Sequence, residues 1–416
     1  MKEILKGSLI IFIFKLFGAF SLFLTYILIP RYYGVDAFGT FNIIFGLLIM
    51  STMIARIGLD TYVLRMLPSF EMNTEKISLF LKEVIKILLF SSLLVSLILI
   101  IFMEAINTYL LKSVDATVYL YGLAFMVLPY TFFNVFPEVF RGFEDIKIYA
   151  FFRNFLQNFI LLLLLVISIY FSLTYTVIDL LYMTVIIIFT SISLLVYFFL
   201  KKRNISIMLV GRYEEKIIKN SYPMFLVASV LLIMSYIDNF MIAYYLDEYQ
   251  VGLYSACINL SMIITFIPMA IGGYISPKVA KSYSNNDKIE VKNIFKNSLI
   301  IIVLCTLPIF VCMYLYAEVL LSLFGTAFTV ATTTLLIVNI AFLSQALCGP
   351  VGFVMNMTDN QHIFMRILMI ALVINICFNG LLIPMYGING AGIAMLLSMS
   401  FWTIGSLIFL KKKDII

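Results

Sequence analysis

Four charged residues stand within or against long apolar runs, where a charge needs a reason: Lys15, Arg56, Asp60 and Asp238. A charge near the centre of a membrane helix costs roughly 2.5–3.5 kcal/mol on insertion scales. Lys15 lies about 10 Å inside the run 8–30, and Arg56 lies about one turn inside the run 38–60, counted from the same face. Two successive runs make a hairpin, so both cations can face one water-filled space. Cations so placed suit an anion that carries phosphate. The competing reading is that both snorkel to nearby headgroups.

Asp238 is the deepest acid, about 25 Å along the run 221–246. It can bind a proton or a sodium ion and couple a gradient to movement. It can also pair with a basic residue or reach the outer interface. Asp60 with Arg65, and Glu138 with Arg141, flank the ends of two runs and suit local ion pairs. Asp60 is the second candidate for coupling or gating.

Enzymatic chemistry finds no support. There is one histidine, His362, and no acid pair, Ser-His-Asp set or Cys-His set can be recognised. The five cysteines lie inside apolar runs without a CxxC pair, so no metal site and no cofactor are expected. No GxxxxGK[ST] occurs. The cluster Gly387-Ile-Asn-Gly390-Ala-Gly392 has no lysine and suits helix packing and a turn. The formal net charge of +6 is spread over many short connections and forms no nucleic-acid face.

The elements that must hold these residues follow from hydropathy. Hydrophobic residues make up 63% of the chain and charged ones 12%, a balance that requires the bilayer as solvent. Twelve runs are long enough to cross it: 8–30, 38–60, 84–103, 118–137, 154–172, 177–200, 221–246, 252–276, 297–316, 330–355, 367–385 and 387–410. Backbone in lipid must satisfy its own hydrogen bonds, and strand alternation is absent, so the expectation is an all-α integral membrane protein of twelve transmembrane helices. The first run follows Lys2 and Lys6 and is too long for a secretory signal, so it reads as a retained span.

Of the 28 lysines and arginines, only Arg31 and Lys112 fall in connections on one face, and Lys15 and Arg56 fall within runs. The rest mark the other face, which the positive-inside rule makes cytoplasmic, with both termini there. The charged connection 201–220 separates six runs from six, which gives an N-terminal lobe over 1–205 and a C-terminal lobe over 206–416. Tyr32-Tyr33…Gly39-Thr40-Phe41 is echoed by Tyr244-Tyr245…Gly252-Leu253-Tyr254, a weak parallel repeat. Two such lobes leave a cleft whose alternate opening is the usual transport mechanism. Pro268, Gly272-Gly273 and Pro277, then Gly349-Pro350 and Gly352, mark bends in the eighth and tenth runs.

Particular stretches carry a family resemblance. Pro30-Arg31-Tyr-Tyr-Gly34-Val-Asp-Ala-Phe-Gly39-Thr-Phe41 resembles the R-x-x-G-x-x-x-(F/Y)-G-x-(F/Y) signature of polysaccharide transporters. Gly58-Leu59-Asp60…Arg65, Phe140-Arg141-Gly142-Phe143, Val251-Gly252-Leu253-Tyr254 and Asn375…Asn379…Pro384 are similar to further segments of that family. The family holds the O-antigen and capsule repeat-unit flippases of the multidrug/oligosaccharidyl-lipid/polysaccharide exporter superfamily. The resemblance implies a MATE-like, V-shaped bundle of two six-helix lobes. It also implies flipping of undecaprenyl-diphosphate-linked oligosaccharide, such as O-antigen or capsule units, from the inner to the outer leaflet of the bacterial cytoplasmic membrane. Lys15 and Arg56 match the family's cavity cations. Membrane lipids and a glycan polymerase are the implied partners, and proton or sodium coupling fits Asp238. The rival readings are a cation-coupled multidrug exporter of the same superfamily and a membrane glycan polymerase.

Overall fold

The computed structural model describes residues 2–70, 73–112, 116–203, 205, 213 and 216–416. Their side chains are described except at 2–12, 116, 223, 227, 228 and 231. Arg212 of the charged connection lies outside the described residues, as do the side chains of Lys2 and Lys6.

The described residues form helices and turns without strands. Ten stretches are long and apolar enough to cross a bilayer. The first, α1 (Lys2–Arg56), has 55 residues, which would reach about 80 Å if straight, more than twice the hydrocarbon thickness. It does not run straight. Gly34 (φ 90°) breaks it four residues after Pro30, so the runs 8–30 and 38–60 share this element as two crossings. A short α2 (Leu59–Met66) follows.

Then come α3 (Thr74–Ile101), α4 (Ala116–Gly142), α5 (Ile146–Tyr170) and α6 (Val177–Lys202). The run 221–246 lies in α7 (Ile217–Tyr245), a 29-residue helix. The chain continues through α8 (Glu248–Ser284), α9 (Lys288–Leu315) and α10 (Thr326–Leu347) to α11 (Val351–Met357), α12 (Gln361–Tyr386) and α13 (Ile388–Lys412).

Two boundaries differ from the sequence reading in ways that matter. Helix α5 starts at Ile146 rather than 154, so Arg153, counted among the connections, lies inside it. Helix α4 runs on to Gly142, which brings Glu138 and Arg141 into its last turns. Gly349 (φ 73°) separates α10 from α11, as its bend suggested, whereas Pro268, Gly272, Gly273 and Pro277 lie in continuous helix and the irregularity of α8 is a 3-10 turn just before them, at Met262–Thr265.

The chain divides into two units. The first holds residues 1–33 and 43–232, and the second holds 34–42 and 233–416. The division thus falls inside α7 rather than at 205/206, and a nine-residue segment around the α1 break counts with the second unit.

Within the first unit, Ser91 Oγ donates to the Ala55 carbonyl at 2.6 Å, and Ser96 Oγ to the Ala124 carbonyl at 2.7 Å. These bonds tie α3 to α1 and to α4, and such bonds between membrane helices contribute about 0.6 kcal/mol each. Within the second unit, residues 34–42 lie against α8 with backbone touching backbone. A Cβ on Gly39 would stand 1.8 Å from the Glu248 carbonyl oxygen, and one on Gly252 would stand 2.4 Å from that of Val35. These are the two glycines that the internal repeat aligns. Phe38 is wholly buried beside Phe324 and Phe328, its ring 6.4 Å from each. At the C-terminal end Ile415 is buried, and Lys292 Nζ donates to Asp414 at 2.6 Å, which holds that carboxyl below its ordinary range.

The glycine crossing generates a test. Gly39→Val forces backbone apart and is expected to cost more than the about 1–3 kcal/mol of ordinary overpacking. Gly273→Ala, where a Cβ meets nothing within 4 Å, is expected to leave stability unchanged or slightly raised. Thermal unfolding of both variants in detergent compares them, and an equally stable Gly39→Val protein would contradict the crossing.

Candidate functional site

The first unit gathers charge around the end of α1. Arg56 is buried, its Nε donating to the Thr52 carbonyl at 3.2 Å and its Nη1 to Asp60 Oδ2 at 2.9 Å. The turn between them makes this pairing possible. Ile57 and Gly58 both take left-handed conformations (φ 49° and 75°), which brings the first turn of α2 back to the guanidinium. Gly58 is also pinned, since a Cβ there would lie 2.6 Å from the Ser221 carbonyl oxygen. The second Asp60 oxygen accepts from the Thr61 N–H at 2.8 Å, so the carboxylate is held from both sides.

Asp60 was expected to pair with Arg65. It pairs with Arg56 instead, because residues four apart share a helix face and residues five apart do not. Arg65 is exposed.

Helices α4 and α5 complete the cluster. Glu138, buried, meets Arg141 at 3.4 Å, the pairing that its spacing suggested. The Arg141 guanidinium lies over the Tyr149 ring, 4.9 Å from its centre. Arg153 sits on a π-helical turn, Phe151–Leu156, inside α5. Such turns widen a helix and re-aim a side chain, and they occur often at functional sites. Its Nη1 donates to Asn134 Oδ1, and the Asn134 amide donates in turn to the Tyr130 carbonyl at 2.7 Å. Gln157, one turn along α5, lies within 3.3 Å of the Tyr130 hydroxyl. Arg153 is near enough to repel Arg56 and to attract Glu138, yet among the described residues no carboxylate bonds it.

Sequence reading missed Arg153, Glu138 and Asn134 as parts of one site. A signal was present: Tyr149, Arg153 and Gln157 recur every four residues, a polar stripe on a membrane helix.

Lys15 stands elsewhere. It is exposed on α1, while its neighbour Phe14 packs on Phe151 and Phe155 with ring centres 5.7 and 6.0 Å away. Among the described residues it has no bond to the Arg56 cluster.

The second unit contains a buried acid of another kind. Asp238 accepts from the Tyr254 hydroxyl at 2.9 Å and from Asn379 Nδ2 at 2.6 Å. Asn379 Nδ2 also reaches Asn375 Oδ1 at 3.0 Å, and Asn375 lies one turn away on α12. Among the described residues no cation pairs with Asp238, and Asn379 Oδ1 has no hydrogen-bond partner. Asp238 is therefore held by neutral donors alone among the described residues.

The comparisons with known proteins bear on what such a body is. The sequence matches the profile of the polysaccharide biosynthesis protein family over residues 4–281, two thirds of the chain. The chain belongs to that family. A MatE profile matches residues 223–381 of this family member as well. Two similar proteins of Haloferax volcanii are described as a probable low-salt glycan biosynthesis flippase, Agl15, and a probable flippase, AglR. Identity is 25% over 171 residues and 29% over 178. The matches take in 41% and 42% of this polysaccharide biosynthesis protein but only 36% and 37% of those relatives.

Among solved structures, an inward-facing multidrug resistance MATE family transporter of the MOP superfamily superposes with a TM-score of 0.77. Identity is 15% over 95% of this chain and 94% of that one. The lipid II flippase MurJ in an inward closed conformation gives 0.73 at 16% identity over 98% and 89%. The fold is therefore the two-lobed, all-helical transporter fold of these proteins, in a multi-pass membrane protein.

The Arg56–Asp60 pair predicts a non-additive stability cycle. Asp60→Asn leaves a buried guanidinium without its counter-ion beside Arg153 and is expected to cost about 3 kcal/mol. Arg56→Met with Asp60→Leu should recover most of that loss. Unfolding measurements on the single and double variants decide it, and a double variant no more stable than Asp60→Asn would contradict the pairing.

Proposed function

We propose that this protein is a flippase for lipid-linked glycan. It would move undecaprenyl-diphosphate-linked oligosaccharide, of the O-antigen or capsule kind, from the inner to the outer leaflet of the bacterial cytoplasmic membrane by alternating access. The observation that carries the reading is the partly buried cluster of Arg56, Arg141 and Arg153 within a membrane-spanning helical unit. Membership of a polysaccharide biosynthesis family and the description of two relatives as flippases support it.

The physics is consistent with that task. The obstacle to flipping is bringing a glycan and a diphosphate of about two negative charges through hydrocarbon. Arginine donors match phosphate oxygens in geometry and charge, so they can replace the water that the diphosphate loses. A potential that is negative inside favours outward movement of the anion by roughly 2.3 kcal/mol per charge per 100 mV. The isoprenoid tail stays in lipid throughout. In this reading Arg56 holds the diphosphate, exposed Lys15 helps to draw it in, and Asp60 gates the site through its bond to Arg56. Both termini are cytoplasmic, membrane lipids surround the body, and a glycan polymerase takes up the flipped unit. The protein moves its substrate without altering it chemically.

Asp238 supplies the coupling. A carboxylate sunk among neutral donors is costly unless it takes a proton or a cation. The orphan Asn379 oxygen beside it offers a second ligand, so proton or sodium occupancy of this pocket would bias the second unit between states.

A second reading is a cation-coupled drug exporter of the same superfamily. The MatE match and the buried acid favour it; the cations of the first unit do not suit cationic drugs.

Two experiments follow. The Lys15→Ala, Arg56→Ala double variant should lose at least nine tenths of surface-glycan export while still reaching the membrane, with lipid-linked intermediate building up on the cytosolic leaflet. Full export by that variant would remove the anion-site reading, and drug sensitivity in place of a glycan defect would favour the exporter. Asp238→Asn should export slowly and without response to collapse of the proton or sodium gradient. A variant that responds as the wild type does would remove Asp238 from coupling.

A further inference from the structure

The charge count of the first-unit cluster leads beyond the presence of an anion site. Three guanidiniums (Arg56, Arg141, Arg153) and two carboxylates (Asp60, Glu138) lie together there, a net formal charge of one positive. Each carboxylate already bonds one guanidinium, and Arg153 is left with a neutral amide, Asn134. Adding a diphosphate of about two negative charges to this set would turn a partly buried site net negative, which burial penalises.

We propose that the cluster works by anion exchange: Glu138 and Asp60 stand in for the substrate's diphosphate while the site is empty, Arg153 makes the first bond to it, and Glu138 then yields Arg141. The proposal rests on the lipid-linked diphosphate reading above and assigns that headgroup its ligands.

Geometry ranks the steps. Arg153 is half-buried and exposed Arg141 lies beside it, so one side of the cluster is open to an incoming anion. The Glu138–Arg141 contact, at 3.4 Å, is longer than the Arg56–Asp60 bond at 2.9 Å. Asp60 is held by two partners and Glu138 by one ion pair, so Glu138 is the anion more readily displaced. Asn134 is a positioning residue: bonded to the backbone of its own helix, it holds the Arg153 guanidinium in place before the ligand arrives. Exchange also serves release. A site that kept all its cations free would bind diphosphate too tightly to let it go, whereas a returning carboxylate competes it off.

Binding to the full-length purified chain in detergent tests this, with farnesyl diphosphate and inorganic pyrophosphate as separate probes and farnesol as the uncharged control. Arg153→Gln should weaken farnesyl diphosphate binding about tenfold or more, and Glu138→Gln should tighten it by a similar factor. Arg141→Gln should weaken it less than Arg153→Gln. Pyrophosphate following the same order would mean that the headgroup alone is recognised; only the lipid probe following it would mean that the isoprenoid is needed as well. Either result supports the exchange. Should Glu138→Gln fail to fold, Glu138→Asp, which keeps the charge but shortens its reach to Arg141, is expected to tighten binding in the same direction. In the wild type, farnesyl diphosphate should shield Arg153 from phenylglyoxal, as read by mass spectrometry. Wild-type binding of diphosphate with no change in Arg153→Gln, or with weakened binding in both carboxylate variants, would overturn the exchange and leave the substrate reading intact. No binding of either diphosphate probe by the wild type would overturn both.

Discussion

Charge inside hydrocarbon must be compensated on the spot, and the two units of this protein meet that demand in opposite ways. Around Arg56 compensation is ionic: Arg56 and Arg141 each have a carboxylate, and half-buried Arg153 has an oriented amide. Around Asp238 compensation is dipolar only, through a tyrosine hydroxyl and an asparagine amide. The first arrangement is close to saturated and can accept another anion only by rearranging. The second holds its carboxyl among neutral donors alone.

The helices exist to present these groups, and their irregularities lie next to them. The π-turn carries Arg153, the left-handed pair Ile57–Gly58 folds Asp60 onto Arg56, and the asparagines at 375 and 379 recur one turn apart to face Asp238. None of these features is required to fill a membrane-spanning bundle. Regular helices with aliphatic faces would do that at lower cost, so the departures mark where the sequence serves something besides stability.

Much of this was legible beforehand. Apolar run length fixed the all-helical membrane class, because few other structures satisfy backbone hydrogen bonds in lipid. The gap between the runs 8–30 and 38–60, and the Gly349-Pro350 pair, announced breaks that are there. Asp238 stood out as the deepest acid. Its partners did not, since Tyr254 is 16 residues away and Asn379 141, and no local spacing rule joins them. Arg153 escaped because Lys147, Asn154 and Gln157 around it lower the local hydropathy, so its helix seemed to begin later than it does. The site lies where polar residues enter a span, which is where span detection by hydropathy is weakest.

Residues 34–42 leave the first unit, lie in the second and return. Their glycine and phenylalanine fill a space that the later part of the chain leaves open at Gly252, Phe324 and Phe328. The second unit is therefore not built from one continuous stretch of chain. A polypeptide made from the second repeat alone would emerge with a bare groove along α8, and the piece that closes it would be encoded some two hundred codons upstream. The second unit is thus completed by residues from the early part of the chain.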